Sequence, residues 1–247
     1  MPAERPLRTC NLVVFRENTE GVYVGIGGQF KKGTPDEVAI KRGPKHAQGR
    51  RAHDPRGLRL RRDERPQARA HERQVERDAP TRTASGSGCS SEVASGVPER
   101  RGKHLYVDAL AMEMVRAPES GTRSIVTNNL FGDIVTDLGA ALQGGLGMAA
   151  SANVRPDDAR WTNVKARCRG LFEPVHGSAP DIAGKDLANP LATVLTVGMM
   201  LTHLGIEGEE AKLTQLVKDA VAAGMTTRDL GGDKKTSEVG RWVIDRV

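Results

Sequence analysis

Asp133 and Asp137 stand four residues apart in a stretch, residues 133–142, whose apolar spacing predicts a helix, so both carboxylates share one helix face. Close carboxylates repel unless a cation or a proton lies between them, and hard oxygen ligands suit Mg²⁺ or Mn²⁺. A solvated helix face has the same spacing. The setting favours a metal, because the pair opens a predicted helix directly after a strand and Gly132, where ligands collect in α/β folds. A second constellation is Glu173-Pro174-Val175-His176-Gly177-Ser178-Ala179-Pro180-Asp181. Its small residues let backbone N–H groups approach an anion, and Asp181 could accept from two ribose hydroxyls. An ordinary Gly/Pro turn has the same composition. No G-x-G-x-x-G follows a strand, so a Rossmann site is not supported. A third constellation spans residues 16–23. Arg16 at a strand end can hold a substrate carboxylate in a bidentate fork, and Tyr23 could donate a proton. A surface arginine beside a packed tyrosine would read the same way.

The elements that must position these groups fall into three zones. Residues 11–16 form a short apolar run ending in a charge, as a buried strand does. Residues 23–26 alternate, Gly27-Gly28 marks a turn and Thr34-Pro35-Asp36 another. Residues 41–102 read as unstructured, with almost no large aliphatics and no helical or strand period. Order returns at residue 103. Strands are expected at residues 104–107 and 124–127, and helices at 108–116, 133–142, 190–204 (stopped by Gly205) and 209–224. Residues 144–147 are a Gly-rich loop, and residues 155–170 a polar interruption. Strands alternating with helices indicate an α/β protein.

Hydrophobic residues make up 38% of the 247, which is low for a globular chain of this length. No run of about 18 apolar residues offers a membrane span, and the N-terminal residues lack an apolar signal core. A cytoplasmic protein without membrane contact is therefore expected. Cys10, Cys89 and Cys168 form neither a disulfide framework nor a metal spacing and read as incidental thiols. The net charge is +6, yet residues 41–100 hold 15 Lys+Arg against 8 Asp+Glu, which leaves the rest of the chain at −1. That basic segment has no aromatic residue for base stacking and no helical arginine stripe, so nucleic acid is not expected as a partner.

Taken together, three segments resemble the isocitrate and isopropylmalate dehydrogenase family. They are Val14-Phe15-Arg16-Glu17-Asn18-Thr19-Glu20-Gly21-Val22-Tyr23, Asn128-Asn129-Leu130-Phe131-Gly132-Asp133-Ile134-Val135-Thr136-Asp137, and residues 173–189 with their His-Gly-Ser-Ala-Pro-Asp core. The likeness covers residues 11–40 and 103–247, less 155–170. It implies an isocitrate/isopropylmalate dehydrogenase-like α/β fold that is incomplete, with the first part of the large domain absent. Residues 1–143 would form the small, dimerisation and substrate domain, interrupted by the non-family segment 41–102. Residues 144–247 would form the C-terminal part of the large, NAD-binding domain. Family members are usually homodimers that bind metal and substrate in a cleft between the domains.

The resemblance also implies roles. Arg16 looks like a ligand of the substrate carboxylate, and Tyr23 like the acid that protonates the enol after CO₂ leaves. Asp133 and Asp137 look like metal ligands, and Asp108 like the carboxylate that reaches the partner subunit's Mg²⁺ or Mn²⁺. Glu173, His176, Gly177, Ser178, Ala179, Pro180, Asp181 and Asn189 resemble the nicotinamide-cofactor site, and Asp181-Ile182 fits NAD. The implied reaction is oxidative decarboxylation of a small-molecule 2-hydroxy acid with an adjacent carboxylate. Residues 21–25 and 143–148 look most like the isopropylmalate branch, which makes 3-isopropylmalate of leucine biosynthesis the expected substrate. Tartrate or D-malate, isocitrate and homoisocitrate remain alternatives.

The family's Lys-Ser-Asn segment, which carries its catalytic lysine, is not found between Tyr23 and Asp108, although the spacing is about what the family uses. Codons for residues 71–78, read one nucleotide later, permit Met-Ser-Asp-Lys-Ser-Asn. Residues 41–102 are therefore expected to be an out-of-frame segment. The alternative of another class is a catalytically inactive fragment or a binding module.

Overall fold

The computed structural model describes residues 12–42, 81–83, 102–118, 123–154 and 170–247. The three cysteines, residues 155–169 and nearly all of the expected out-of-frame segment lie outside the described residues. The chain divides into two compact units, Met1–Gly139 and Ala140–Val247.

In the first unit, β1 (Leu12–Arg16), β4 (Thr81–Thr83), β5 (Gly102–His104) and β6 (Arg123–Thr127) form a parallel sheet in the order β1-β6-β4-β5. Thr81–Thr83 lies inside the segment expected to be unstructured, so that expectation fails there. Strand pairing overrides a composition poor in aliphatics. β1 and β6 run in register, Leu12 opposite Arg123 and Arg16 opposite Thr127, so both strands end at the same edge. Leu110 and Met114 of α1 (Val107–Arg116), Val135 of α2 (Asn129–Gln143) and Ile125 and Val126 of β6 are all buried.

β2 (Gly27–Phe30) and β3 (Val38–Lys41) form a separate antiparallel hairpin. Here three sequence expectations are corrected. Residues 22–24 form a 3-10 turn rather than the start of a strand. Gly27 and Gly28 lie in β2, not in a turn; a Cβ at Gly27 would stand 2.3 Å from the Ile40 carbonyl oxygen, so glycine serves close strand approach. The reversal lies in residues 31–37 instead, where the Thr34 N–H bonds the Lys31 carbonyl at 3.2 Å. The third correction is that β5 ends at His104 and Val107 already begins α1, so residues 104–107 are not one strand.

α2 begins four residues earlier than its apolar spacing suggested, at Asn129. Asn128 supplies the start signal: its Oδ1 accepts from the Phe131 N–H at 3.0 Å and its carbonyl from the Gly132 N–H at 2.8 Å. Asp133 therefore stands one turn inside the helix rather than opening it. Replacing Asn128 with Ala removes this acceptor and is expected to cost about 1 kcal/mol of stability in urea unfolding. An unchanged midpoint would show that the cap contributes nothing.

In the second unit β7 (Ala150–Val154) and β8 (Gly170–Pro174) pair antiparallel. Three helices follow: α3 (Leu191–His203), α4 (Glu209–Ala222) and α5 (Thr236–Ile244). Their apolar faces meet in a core of Leu191, Val217, Ala220, Val239 and Val243. α3 and α4 fall within a residue or two of the sequence expectation, because Gly205 and Gly224, both at positive φ, stop them.

Candidate active site

β1 delivers Arg16 and β6 delivers Asn129 to the same sheet edge, and α2 carries Gly132 and Asp133 above it. The Arg16 Nη1 meets Asp133 Oδ1 at 2.6 Å. The Arg16 Nε and Nη2 both donate to Asn129 Oδ1, at 3.0 and 2.7 Å. The Tyr23 hydroxyl donates to Asp133 Oδ2 at 2.8 Å, and the Arg16 guanidinium carbon lies 5.9 Å from the Tyr23 ring centre. The hydrogen bond to Asp133 raises the Tyr23 pKa above the usual phenol value, aided by partial burial and the Asp133 charge and opposed by Arg16. The phenol thus keeps its proton at neutral pH while remaining exposed.

Asp137 is exposed one turn along α2 from Asp133. Asp108 is exposed in the first turn of α1, where its Oδ1 accepts from the Ala109 N–H at 2.8 Å. Among the described residues no group of three or more His, Cys, Asp or Glu is placed to hold a metal within this one chain.

The second constellation lies entirely in the second unit. Glu173 is the penultimate residue of β8; its Oε1 accepts from Asn153 Nδ2 at 3.2 Å and its carbonyl from Ser151 Oγ at 2.7 Å. His176 is half-buried with Nδ1 3.0 Å from the Gly177 carbonyl, a contact that places the proton on Nδ1 and leaves Nε2 as the acceptor in the neutral ring. Residues 177–181 are exposed, and Ala179 adopts φ 43. Asn189 is buried instead: its Oδ1 accepts from the Leu191 N–H at 3.0 Å, and its Nδ2 donates to Asp229 Oδ2 at 3.0 Å. Asn189 therefore ties the start of α3 to Asp229.

The family model for isocitrate/isopropylmalate dehydrogenase matches residues 2–243. The chain belongs to this family. The 3-isopropylmalate dehydrogenase of Streptomyces griseus is 40% identical over 243 residues, a match covering 96% of this chain and 64% of that protein. The 3-isopropylmalate dehydrogenase of Streptomyces coelicolor is 40% identical over 242 residues with the same coverage, 96% and 64%. The chain thus spans about 64% of the length of these curated relatives. The crystal structure of isocitrate dehydrogenase from Methylococcus capsulatus superposes with a TM-score of 0.76 at 31% identity, covering 96% of this chain and 67% of that one. The α/β fold is accordingly that of the isocitrate/isopropylmalate dehydrogenases.

The donor set fits a divalent cation in part. Asp133 and Asp137 offer hard carboxylate oxygens from one helix face, and Mg²⁺ commonly takes only one or two carboxylates, with water and substrate completing its shell. Sequence reasoning assigned no role to Asn129 and Gly132, although Asn129 precedes Asp133 by one helical turn and so shares its face. It also passed over Asp186, which joins the cofactor-like loop to α5. Asp186 accepts from the Ser237 N–H at 2.9 Å and Oγ at 2.6 Å, and Thr236 Oγ1 donates to the Ala188 carbonyl at 2.6 Å.

The Ser237 side-chain bond, then its backbone N–H, hold the Asp186 pKa below the ordinary 3.8, with Lys235 assisting and burial opposing. A depressed carboxylate contributes stability above its unfolded pKa and loses it as pH falls through the folded value. Protection of the Ser237 amide against hydrogen exchange is expected to be steady at neutral pH and to drop below pH 3.8. Asp186→Ala should lower it several-fold at all pH values and remove the acid step. A surviving acid step in that variant would assign the cap elsewhere.

Proposed function

We propose that the protein catalyses NAD-dependent, divalent-metal-dependent oxidative decarboxylation of a 2-hydroxy acid, with 3-isopropylmalate as substrate. The observation that carries this reading is one cluster in which a guanidinium, a carboxylate and a protonated phenol meet at the carboxyl ends of parallel strands. The names of the relatives support the choice of substrate.

In this reading Arg16 holds a substrate carboxylate by charge-assisted hydrogen bonds. Asp133 and Asp137 would hold Mg²⁺ or Mn²⁺, whose charge stabilises the oxygen on which negative charge develops. Glu173, residues 176–181 and Asn189 would hold NAD, which would supply the hydride acceptor. The substrate gives a hydride from its hydroxyl carbon to the nicotinamide acceptor and its hydroxyl proton to solvent water, and becomes a β-keto acid. The bond between the adjacent carbon and its carboxylate then breaks, CO₂ departs, and the electron pair left on that carbon forms an enolate. Tyr23 gives its proton to that carbon, a role supported by its raised pKa and its exposure.

A homodimer belongs to the same reading. Asp108 would complete the metal shell from the second subunit. The hairpin offers a surface for such pairing, since Phe30, Val38 and Ile40 are all at least half exposed.

The test is NADH formation by the purified chain with 3-isopropylmalate, isocitrate, homoisocitrate, tartrate and D-malate, with Mg²⁺ and after chelation. Isopropylmalate should give the highest kcat/KM, and chelation should abolish it. Isocitrate in first place would change the substrate to that named for the Methylococcus capsulatus isocitrate dehydrogenase. No reduction with any of the five would end the reading.

A further inference from the structure

The Arg16 guanidinium is held in a way that decides which of its edges can meet a ligand. Asn129 is only 4% exposed, and its side-chain amide makes three hydrogen bonds. Its Oδ1 accepts both Arg16 Nε–H and an Nη2–H, while its Nδ2 donates to the Glu20 carbonyl at 2.8 Å. This arrangement permits only one orientation of the amide, because arginine has nothing but donors and a carbonyl nothing but an acceptor. Nη1 gives a third N–H to Asp133. Of the five guanidinium N–H groups, one on Nη1 and one on Nη2 are left. The arginine stem is confined as well: a Cβ at Gly132 would stand 2.5 Å from Arg16 Cγ and 2.9 Å from Cβ and Cδ. The side chain therefore lies directly on the first turn of α2, in a bed that only glycine leaves open.

We propose that Asn129 is a positioning residue which commits the Nε/Nη2 edge of Arg16 to the protein, so that an anionic substrate meets only the terminal Nη1/Nη2 edge. The side-on fork that an isolated arginine would offer is closed. This rests on the reading of Arg16 as the ligand of a substrate carboxylate. Holding a charged group by a buried neutral amide sets its pose without cancelling its charge, which Asp133 alone would do less well.

The experiment uses the full chain with isotope-labelled arginine, the Arg16 Nε–H resonance being assigned by its loss in Arg16→Lys. In the unmodified chain this N–H should exchange slowly with solvent. Asn129→Ala should speed its exchange roughly tenfold, the consequence of losing a partly buried charge-assisted bond, while the α2 backbone amides keep their protection. Asn129→Asp retains the acceptor toward Arg16, gives up only the bond to Glu20, and should restore slow exchange. Unchanged exchange in Asn129→Ala, or equal loosening of α2 in both variants, would overturn the proposal, the latter by reducing Asn129 to a helix-stabilising residue.

A second measurement needs no variant at Asn129. Malonate, used as the dicarboxylate probe, should shift the Arg16 resonances without speeding the Nε–H exchange. Faster exchange on adding malonate would mean that the ligand displaces Asn129, and would likewise overturn the proposal. No response of Arg16 to malonate would count against its substrate role in the proposed function. It would not touch the positioning by Asn129, which the exchange rate in the variants decides by itself.

Discussion

Asp133→Asn is expected to lower kcat by about 10³-fold, the scale of losing one preorganised electrostatic contact to the reacting centre. One carboxylate serves three neighbours: Arg16 at 2.6 Å, Tyr23 at 2.8 Å and, through the shared helix face, the cation that Asp137 would help hold. An amide has nearly the same shape but one acceptor and one donor. With its oxygen toward Arg16, its NH₂ faces the Tyr23 hydroxyl, which must turn to accept and so points its proton away from Asp133. The charge that neutralises Arg16 and raises the Tyr23 pKa disappears as well, so the phenol titrates at lower pH. Stability should hardly change, since the two side chains are 31% and 47% exposed and such ion pairs are screened by water. The expected pattern is therefore a collapse of kcat and of Mn²⁺ affinity, the latter read by water-proton relaxation, at an almost constant melting temperature. A variant that keeps both would remove Asp133 from the chemistry.

Gly132→Ala should raise KM and lower kcat/KM about 100-fold, the cost of displacing a positioned group by about 1 Å. The new methyl carbon would stand 2.5 Å from Arg16 Cγ, and that part of the side chain is too near the backbone to swing aside. Arg16 must then shift relative to Asn129 and Asp133. Two effects on stability oppose each other. Alanine favours a helix over glycine by about 1 kcal/mol, whereas overpacking a close contact costs about 1–3 kcal/mol. The second wins narrowly, so a small fall in melting temperature should accompany a much larger fall in substrate affinity. If both fell by the same free energy, Gly132 would matter only for packing.

Much of this molecule is local and therefore legible in the sequence. The face shared by Asp133 and Asp137 follows from helical periodicity, and α3 and α4 begin and end near the residues that apolar spacing and Gly205 indicated. The long motifs placed the chain in its family, because their residue order does not depend on folding. What misled the reading was also local: Gly27-Gly28 carries the composition of a turn yet lies in a strand, since its partner is Ile40 across the hairpin.

The sequence by itself determined the inventory of the site: an arginine, a tyrosine and a carboxylate pair of known type and approximate element. Only the tertiary structure decided how they are spent. The in-register parallel pairing of β1 with β6 brings Arg16 beside Asn129, 113 positions away along the chain. That contact fills one edge of the guanidinium, gives Asp133 to both Arg16 and Tyr23, and makes Gly132 a packing necessity. Spacing along a chain encodes which residues share a face of one element. Which two elements meet, and in what register, depends on the summed burial and hydrogen bonding of segments far apart in sequence, and no local pattern carries that sum.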